Sequence, residues 1–387
     1  MQMINILEQM NTRGERILKI CTNTAYVQLK TPVHTLAQQL TENAIPSAAV
    51  LNESGKVSGI IVSRTLFQLL AKPFGRDLLF RKTAQEVMIK PRTFLYNEYI
   101  NEIHERIKED FLLDEIQHYV LVDTKKNFKG IFSSKDLLLH IASVQHQETM
   151  ITEGIQKKMI PPFLSYETNT LQIVAASIMS QRIGGDYYFI KEIDEQQTFF
   201  CLCDISGKGL SAALITAVLA GFMESLTHIP NLSFLVQKLN AVILKSCSLE
   251  KYATGIFCIY NKKDESIEYC DMGHGLLYEI TDTEILQLPE SSGNIPIGVM
   301  NLDTITTQKV HIKHNTAYMI VSDGITEQRD ENSALFPLNR IVSIMEKNQG
   351  NLKKVKIDFF ENYFSFKKKT IQHDDASILI ASIKKAP

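Results

Sequence analysis

The sequence predicts an α+β protein in two parts: a tandem β-turn-β-α repeat in its first third, then a domain mixing antiparallel strands with helices. Three observations predict this. The first third matches itself at a constant offset of 71 residues. A hairpin signature stands near residue 260, and nothing shows the regular strand-helix alternation of a doubly wound parallel sheet.

The 387 residues suggest two or three domains, each able to bury its own core. With 41 Lys and Arg against 43 Asp and Glu, the net charge is -2, so no global bias toward nucleic acid or membrane exists. No apolar run approaches the roughly 20 residues of a membrane span. Glu8, Arg13 and Glu15 also interrupt the stretch a signal peptide would need, so a cytoplasmic chain is expected. The cysteines at 21, 201, 203, 247, 258 and 270 lack Cys-x-x-Cys spacing and read as reduced core residues rather than zinc ligands.

In the repeat, Ala48-Ala49-Val50-Leu51 aligns without gaps on Tyr119-Val120-Leu121-Val122, and Gly59-Ile60-Ile61-Val62 on Gly130-Ile131-Phe132-Ser133. Each copy runs from a strand through a polar turn into a second strand opened by glycine, then into a helix starting near Ser63 or Ser134. Helical periodicity at 33–43 and 100–111 places a helix before each strand pair, giving α-β-β-α twice. At these residues, about 20–145, the region resembles a tandem pair of cystathionine-β-synthase (CBS) domains. That resemblance implies regulation by an adenine nucleotide, with a Ser or Thr and an Asp three residues later contacting the ribose. The second copy keeps both as Ser133 and Asp136, whereas the first has Val62 and Thr65, so one half-site at most is intact. A purely structural or dimerising pair is the competing reading.

Residues 140–159 have the spacing of a connecting helix, which must stop near Pro161-Pro162. The expected organisation is therefore a regulatory pair at 1–145, a connecting helix at 146–160 and a second domain at 161–387. Paired repeats and a long helix make a homodimer the expected assembly.

In the second domain four aspartates stand at the edges of apolar runs: Gly184-Gly185-Asp186, Cys203-Asp204-Ile205-Ser206-Gly207-Lys208-Gly209, Ser322-Asp323-Gly324 and His373-Asp374-Asp375-Ala376-Ser377. The run 198–203 delivers Asp204 at its end and turns into an Ala- and Leu-rich helix at 210–227; the run 317–321 delivers Asp323 through Ser322. Asp186 opens the run 187–190, and Asp374 with Asp375 opens the strand 376–383. A hairpin, 252–260 and 266–271, follows, and 336–347 and 352–366 read as amphipathic helices. Carboxylates gathered from several strand ends repel one another unless cations sit among them, which points to a metal-dependent hydrolase.

Together with Ile155-Gln156, Pro161, Gly273-His274, Ile297-Gly298-Val299 and Ser322-Asp323-Gly324-Ile325-Thr326-Glu327, these motifs occur in an order that resembles the SpoIIE/RsbU-like branch of the metal-dependent PPM protein phosphatases. The match covers roughly 150–385. It implies an α/β/β/α sandwich of two antiparallel sheets between helical layers, with two manganese or magnesium ions at one edge. By this resemblance Asp186, Asp204, Asp323 and Asp374 are the catalytic metal ligands, with the backbone carbonyl of Ile205 as a further one. Water activated by both ions then attacks a phosphoserine or phosphothreonine ester directly, and no phosphoenzyme forms. Two departures stand out. Ile205-Ser206 replace a Gly-His found in the wider family, leaving the general acid open between metal-activated water and His274, itself readable as a turn residue between glycines. Phe189 stands where the branch often has an Asp.

The implied partner is a phosphorylated protein such as an anti-sigma-factor antagonist. The rival reading is a catalytically silent phosphatase-fold binding module gated by nucleotide. A phosphate-loop NTPase is set aside, because Leu202 and Gly209 occupy the places where that loop needs Gly and Ser or Thr.

Overall fold

The computed structural model describes residues 14–226, 231–246, 251–312 and 316–383; Glu8, Arg13 and Cys247 lie outside them. The chain divides into two compact units, Met1–His146 and Gln147–Pro387.

The first unit contains β1 (Tyr26–Gln28), α1 (Val33–Glu42), β2 (Ser47–Leu51), β3 (Val57–Val62) and α2 (Ser63–Leu70). The short helices α3 (Gly75–Leu79) and α4 (Ala84–Val87) lead to its second half: β4 (Arg92–Leu95), α5 (Ile100–Ile107), β5 (His118–Val122), β6 (Phe128–Ser133) and α6, which spans Ser134–Met159. The two strand pairs and the helices that follow them recur at the 71-residue offset. Helix α1 buries Val33, Leu36, Ala37 and Leu40, one face of a 3.6-residue period. Asn52 and Asp123, equivalent in the repeat, shape the two polar turns, since each side chain accepts backbone N–H bonds two and four residues on. Each half also has a leading strand that sequence periodicity does not reveal: β1 runs parallel to β2, and β4 parallel to β5. At three and four residues these strands are too short to show a period-2 pattern. The halves meet through equivalent residues. Ala49, Leu51 and Ile60 pack with Val120, Val122 and Ile131, Ser47 bonds His118, and Lys56 bridges Asn127.

Helix α6 is continuous, where the sequence suggested a helix at 134 and a separate connecting helix. Nothing interrupts the backbone before Pro161-Pro162 except Gly154, which a helix tolerates. The boundary between the units falls within it. Among the described residues no helix is long and apolar enough to cross a membrane.

The second unit is built on two antiparallel sheets. One has the order β15-β12-β11-β10-β9, from β9 (Asp186–Glu192), β10 (Gln197–Ile205), β11 (Ala253–Asn261), β12 (Ser266–Asp271) and β15 (Gln308–His311). The other has the order β14-β13-β16-β17-β8-β7, from β7 (Phe163–Glu167), β8 (Leu171–Ile178), β13 (Leu277–Ile280), β14 (Ile285–Gln287), β16 (Ala317–Val321) and β17 (Ala376–Ile383). Alternation along β8 separates two cores. Ile173 and Ala175 face the other sheet, while Val174 and Ala176 face outward onto helices. Helices α7 (Leu210–Ser225) and α8 (Leu232–Ser246) cover the first sheet. After the single turn α9 (Asp323–Thr326), helices α10 (Arg340–Lys347) and α11 (Leu352–Lys367) cover the second. The result is the α/β/β/α sandwich. Helix α10 starts at Arg340 rather than 336 because Pro337 keeps the residue before it out of helical conformation. Phe336 instead wedges edge-on among Phe359, Tyr363 and Phe366.

Candidate active site

Strand polarity gathers the acids. Because β10 and β9 are antiparallel, the end of one meets the start of the other, and Asp204 stands opposite Asp186 in register. In the second sheet Val321, ending β16, pairs with Ile378 near the start of β17, so Asp323 and the pair Asp374-Asp375 flank the same edge. Ser322 fastens those strands together. Its N–H donates to Ser377 O at 3.0 Å, its hydroxyl to Asp375 O at 2.8 Å, and its Oγ accepts from Ser377 N at 2.8 Å. Only glycine fits at 324, where a Cβ would lie 2.1 Å from Asp375 O. At 185 a Cβ would come within 2.7 Å of Ile205 O.

Asp186 is 2 % exposed, and among the described residues its buried Oδ2 has no hydrogen-bond partner. Burial, then the charges of Asp204 and Asp375, push its pKa well up. The Asp204 carboxyl is pushed up to about 7, first by burial and then by Asp323, Asp374 and Asp375. Burial and Asp374 likewise raise Asp323. Asp375 has a different task. Wholly buried, it accepts from Ser180 N at 2.7 Å and Gly185 N at 2.6 Å, holding the loop that leads into Asp186. The same loop is gripped from the last turns of α6, where the buried Gln156 donates to Gly184 O at 2.8 Å and accepts from Gly184 N at 3.1 Å.

Asp204, Asp323 and Asp374 line a cavity of about 290 Å³ together with Lys208, Thr254 and His274. The Lys208 ammonium lies 3.1 Å from Asp374 Oδ1 and also donates to His373 O. His274 sits between Gly273 and Gly275, both at left-handed φ (74° and 73°). Both of its ring nitrogens are engaged, Nδ1 with Thr254 Oγ1 at 3.1 Å and Nε2 with Val321 O at 2.9 Å. A carbonyl only accepts, so Nε2 carries the hydrogen and Nδ1 receives the threonine hydroxyl.

The residues fit hard cations. The donors are all oxygen, one buried carboxylate oxygen has no partner among the described residues, and the group carries more negative charge than Lys208 offsets. Among the described residues no three His, Cys, Asp or Glu side chains already close on one point. The cavity beside Asp204, Asp323 and Asp374 leaves space for ions that keep water ligands, as magnesium does. Phe189 lies outside it, packed near Tyr187 and Phe199. In the first unit Ser133 and Asp136 do come together, but with each other. Asp136 Oδ2 accepts from Ser133 N at 2.8 Å, Ser133 Oγ at 2.6 Å and Thr22 Oγ1 at 3.0 Å, a satisfied cap at the start of α6. What motif reading missed are the supports: Gln156, Asp375, Ser322 and Thr254. Of these Gln156, Ser322 and Asp375 carried a signal, lying inside the motifs, and nothing in those motifs said what each holds; Thr254 carried none.

Residues 194–384 match the family model for stage II sporulation protein E (SpoIIE). The phosphoserine phosphatase RsbU of Bacillus subtilis (strain 168) is 24 % identical over 284 residues, covering 71 % of this chain and 82 % of that protein. The SiaA-PP2C domain of Pseudomonas aeruginosa superposes with a TM-score of 0.51 at 14 % identity, over 63 % of this chain and 99 % of that domain, a likeness of fold. The matched residues lie in the second unit, which carries a PPM-type phosphatase domain of the SpoIIE family.

Proposed function

We propose that this chain is a serine/threonine protein phosphatase of bacterial signalling that uses manganese or magnesium to hydrolyse the phosphoester of a protein substrate. The observation that carries it is the buried Asp186 oxygen that has no partner among the described residues, set opposite Asp204, whose carboxyl in turn feels Asp323 and Asp374. Asp186, Asp204, Asp323 and Asp374, with the carbonyl of Ile205, would hold the ions. Bound there, the ions supply Lewis acidity toward a phosphoryl oxygen and the attacking water. Asp375 and Gln156 keep the Asp186 loop in place, and Lys208 presents a positive charge to an entering phosphoryl group. Water adds to phosphorus as the serine oxygen leaves with a proton, so no covalent enzyme intermediate is needed.

The similarity to RsbU supports a phosphorylated regulator, such as an anti-sigma-factor antagonist, as substrate. The repeat unit is then the regulatory half, a CBS-like pair open to an adenine nucleotide. Exposed Met150, Ile151 and Ile155 on α6 support a homodimer, which light scattering reads directly.

Turnover of a phosphoserine protein should require added manganese or magnesium. Asp204→Asn and Asp323→Asn should each lower kcat by more than about 100-fold, above the cost of losing a supporting residue, while the domain stays folded by circular dichroism. A chain that binds no divalent ion by calorimetry and turns over nothing would instead be a silent binding module.

A further inference from the structure

We propose that His274 is a positioning residue, a strut between the two sheets that sets the distance from the Asp204 strand to the Asp323 strand and takes no part in protonating the leaving serine. The inference rests on the phosphatase reading above. One end of the imidazole holds Thr254 on β11, the register partner of Asp204. The other holds the carbonyl of Val321 on β16, two residues before Asp323. The ring thus ties the first sheet to the second at the edge where the acids converge, and it cannot stretch. Its base is fixed as well. His274 N donates to Asp271 Oδ1 at 2.7 Å, and Gly275 N donates to both oxygens of the buried Asp271.

A general acid needs an N–H free to meet the leaving oxygen. The single ring N–H of neutral His274 is spent on Val321, and burial holds the imidazole neutral. A strut's value lies in geometry, because a misplacement of about 1 Å between catalytic groups can cost roughly 100-fold in rate.

The test compares wild type with His274→Ala, His274→Gln and Thr254→Val, each purified metal-free as the full chain. Manganese affinity is measured by calorimetry, and kcat on p-nitrophenyl phosphate and on a phosphoserine protein. His274→Ala should weaken manganese binding by about tenfold or more, as loss of a supporting residue does. It should also lower kcat on both substrates by the same factor. His274→Gln, which keeps a donor and an acceptor, should recover most of both, and Thr254→Val, which removes the hydroxyl that meets the ring and leaves the ring in place, should shift manganese binding in the same direction. Unchanged manganese affinity in His274→Ala and Thr254→Val would overturn the proposal. So would a loss confined to the phosphoserine substrate, the mark of a missing acid, since p-nitrophenolate departs without a proton. A wild-type chain that takes up no manganese would overturn the phosphatase reading itself, and the strut's purpose with it.

Discussion

Asp204 carries, in one side chain, the strain that the whole cluster imposes on the metal-free domain. Its folded pKa, about 7 against 3.8 for a free aspartate, means that folding favours the protonated form. Stability from this group is complete below the ordinary value and is lost as pH rises through about 7. The metal-free protein should therefore melt at a lower temperature at pH 8 than at pH 6, by scanning calorimetry. Manganese competes with the proton, so its affinity should rise over the same interval with proton release, narrowing the difference in melting temperature. Equal melting at both pH values without metal would contradict this account. At this scale the sequence was most legible in the acids: four aspartates beside glycines and serines read as one cluster, and strand register sets Asp186 opposite Asp204 and brings Asp323 and Asp374 to one edge. Asp375, adjacent to Asp374 and of the same type, is buried and holds a loop through Ser180 and Gly185, whereas Asp374 lines the cavity beside Lys208. His274 was legible as a turn residue, which it is; that its ring spans two sheets depends on contacts far apart in the chain.

The elements that deliver the acids were well marked, because strands buried on both faces are long apolar runs with abrupt polar ends. β10 and β17 begin and end close to where their sequence pattern does. Short strands such as β1 and β4 were not marked, since pairing with a neighbour rather than local pattern makes them strands. The junction of β16 with β17 is the tightest of the delivering elements. In Gly324→Ala the added carbon would meet the Asp375 carbonyl at 2.1 Å, so the strands must part or the turn must unwind. Overpacking of this kind costs about 1–3 kcal/mol. The expected outcome is a lowered melting temperature and a kcat reduced on the order of 100-fold, since Asp323 and Asp374 move with those strands. Wild-type stability and turnover in this variant would show that the junction yields more easily than its packing suggests.

For the molecule as a whole, composition gave no functional direction, and motif order did. A net charge of -2 excludes little, whereas the order of the acid motifs along 150–385 singles out one sandwich topology. The repeat was legible for the same reason, since an offset held over many positions is hard to reach by chance. Its ligand is another matter. Ser133 and Asp136 satisfy each other, so a nucleotide must break an intact helix cap to use them. If it does so, adenine nucleotides should raise the full chain's melting temperature in a concentration-dependent way, by RT ln(1 + [L]/Kd), and Asp136→Ala should abolish the shift. No shift at millimolar nucleotide would leave the pair as a scaffold.

The contacts of Ser47 with His118 and of Lys56 with Asn127 join positions that are each other's counterparts. Such contacts lie on the two-fold axis of a symmetric dimer, here one whose partners share a backbone. Tethering makes their association independent of protein concentration. It also frees them from having to be identical. Two separate copies of one subunit would both carry Val62 or both carry Ser133; a fused pair can hold one of each, and so can be lopsided by inheritance.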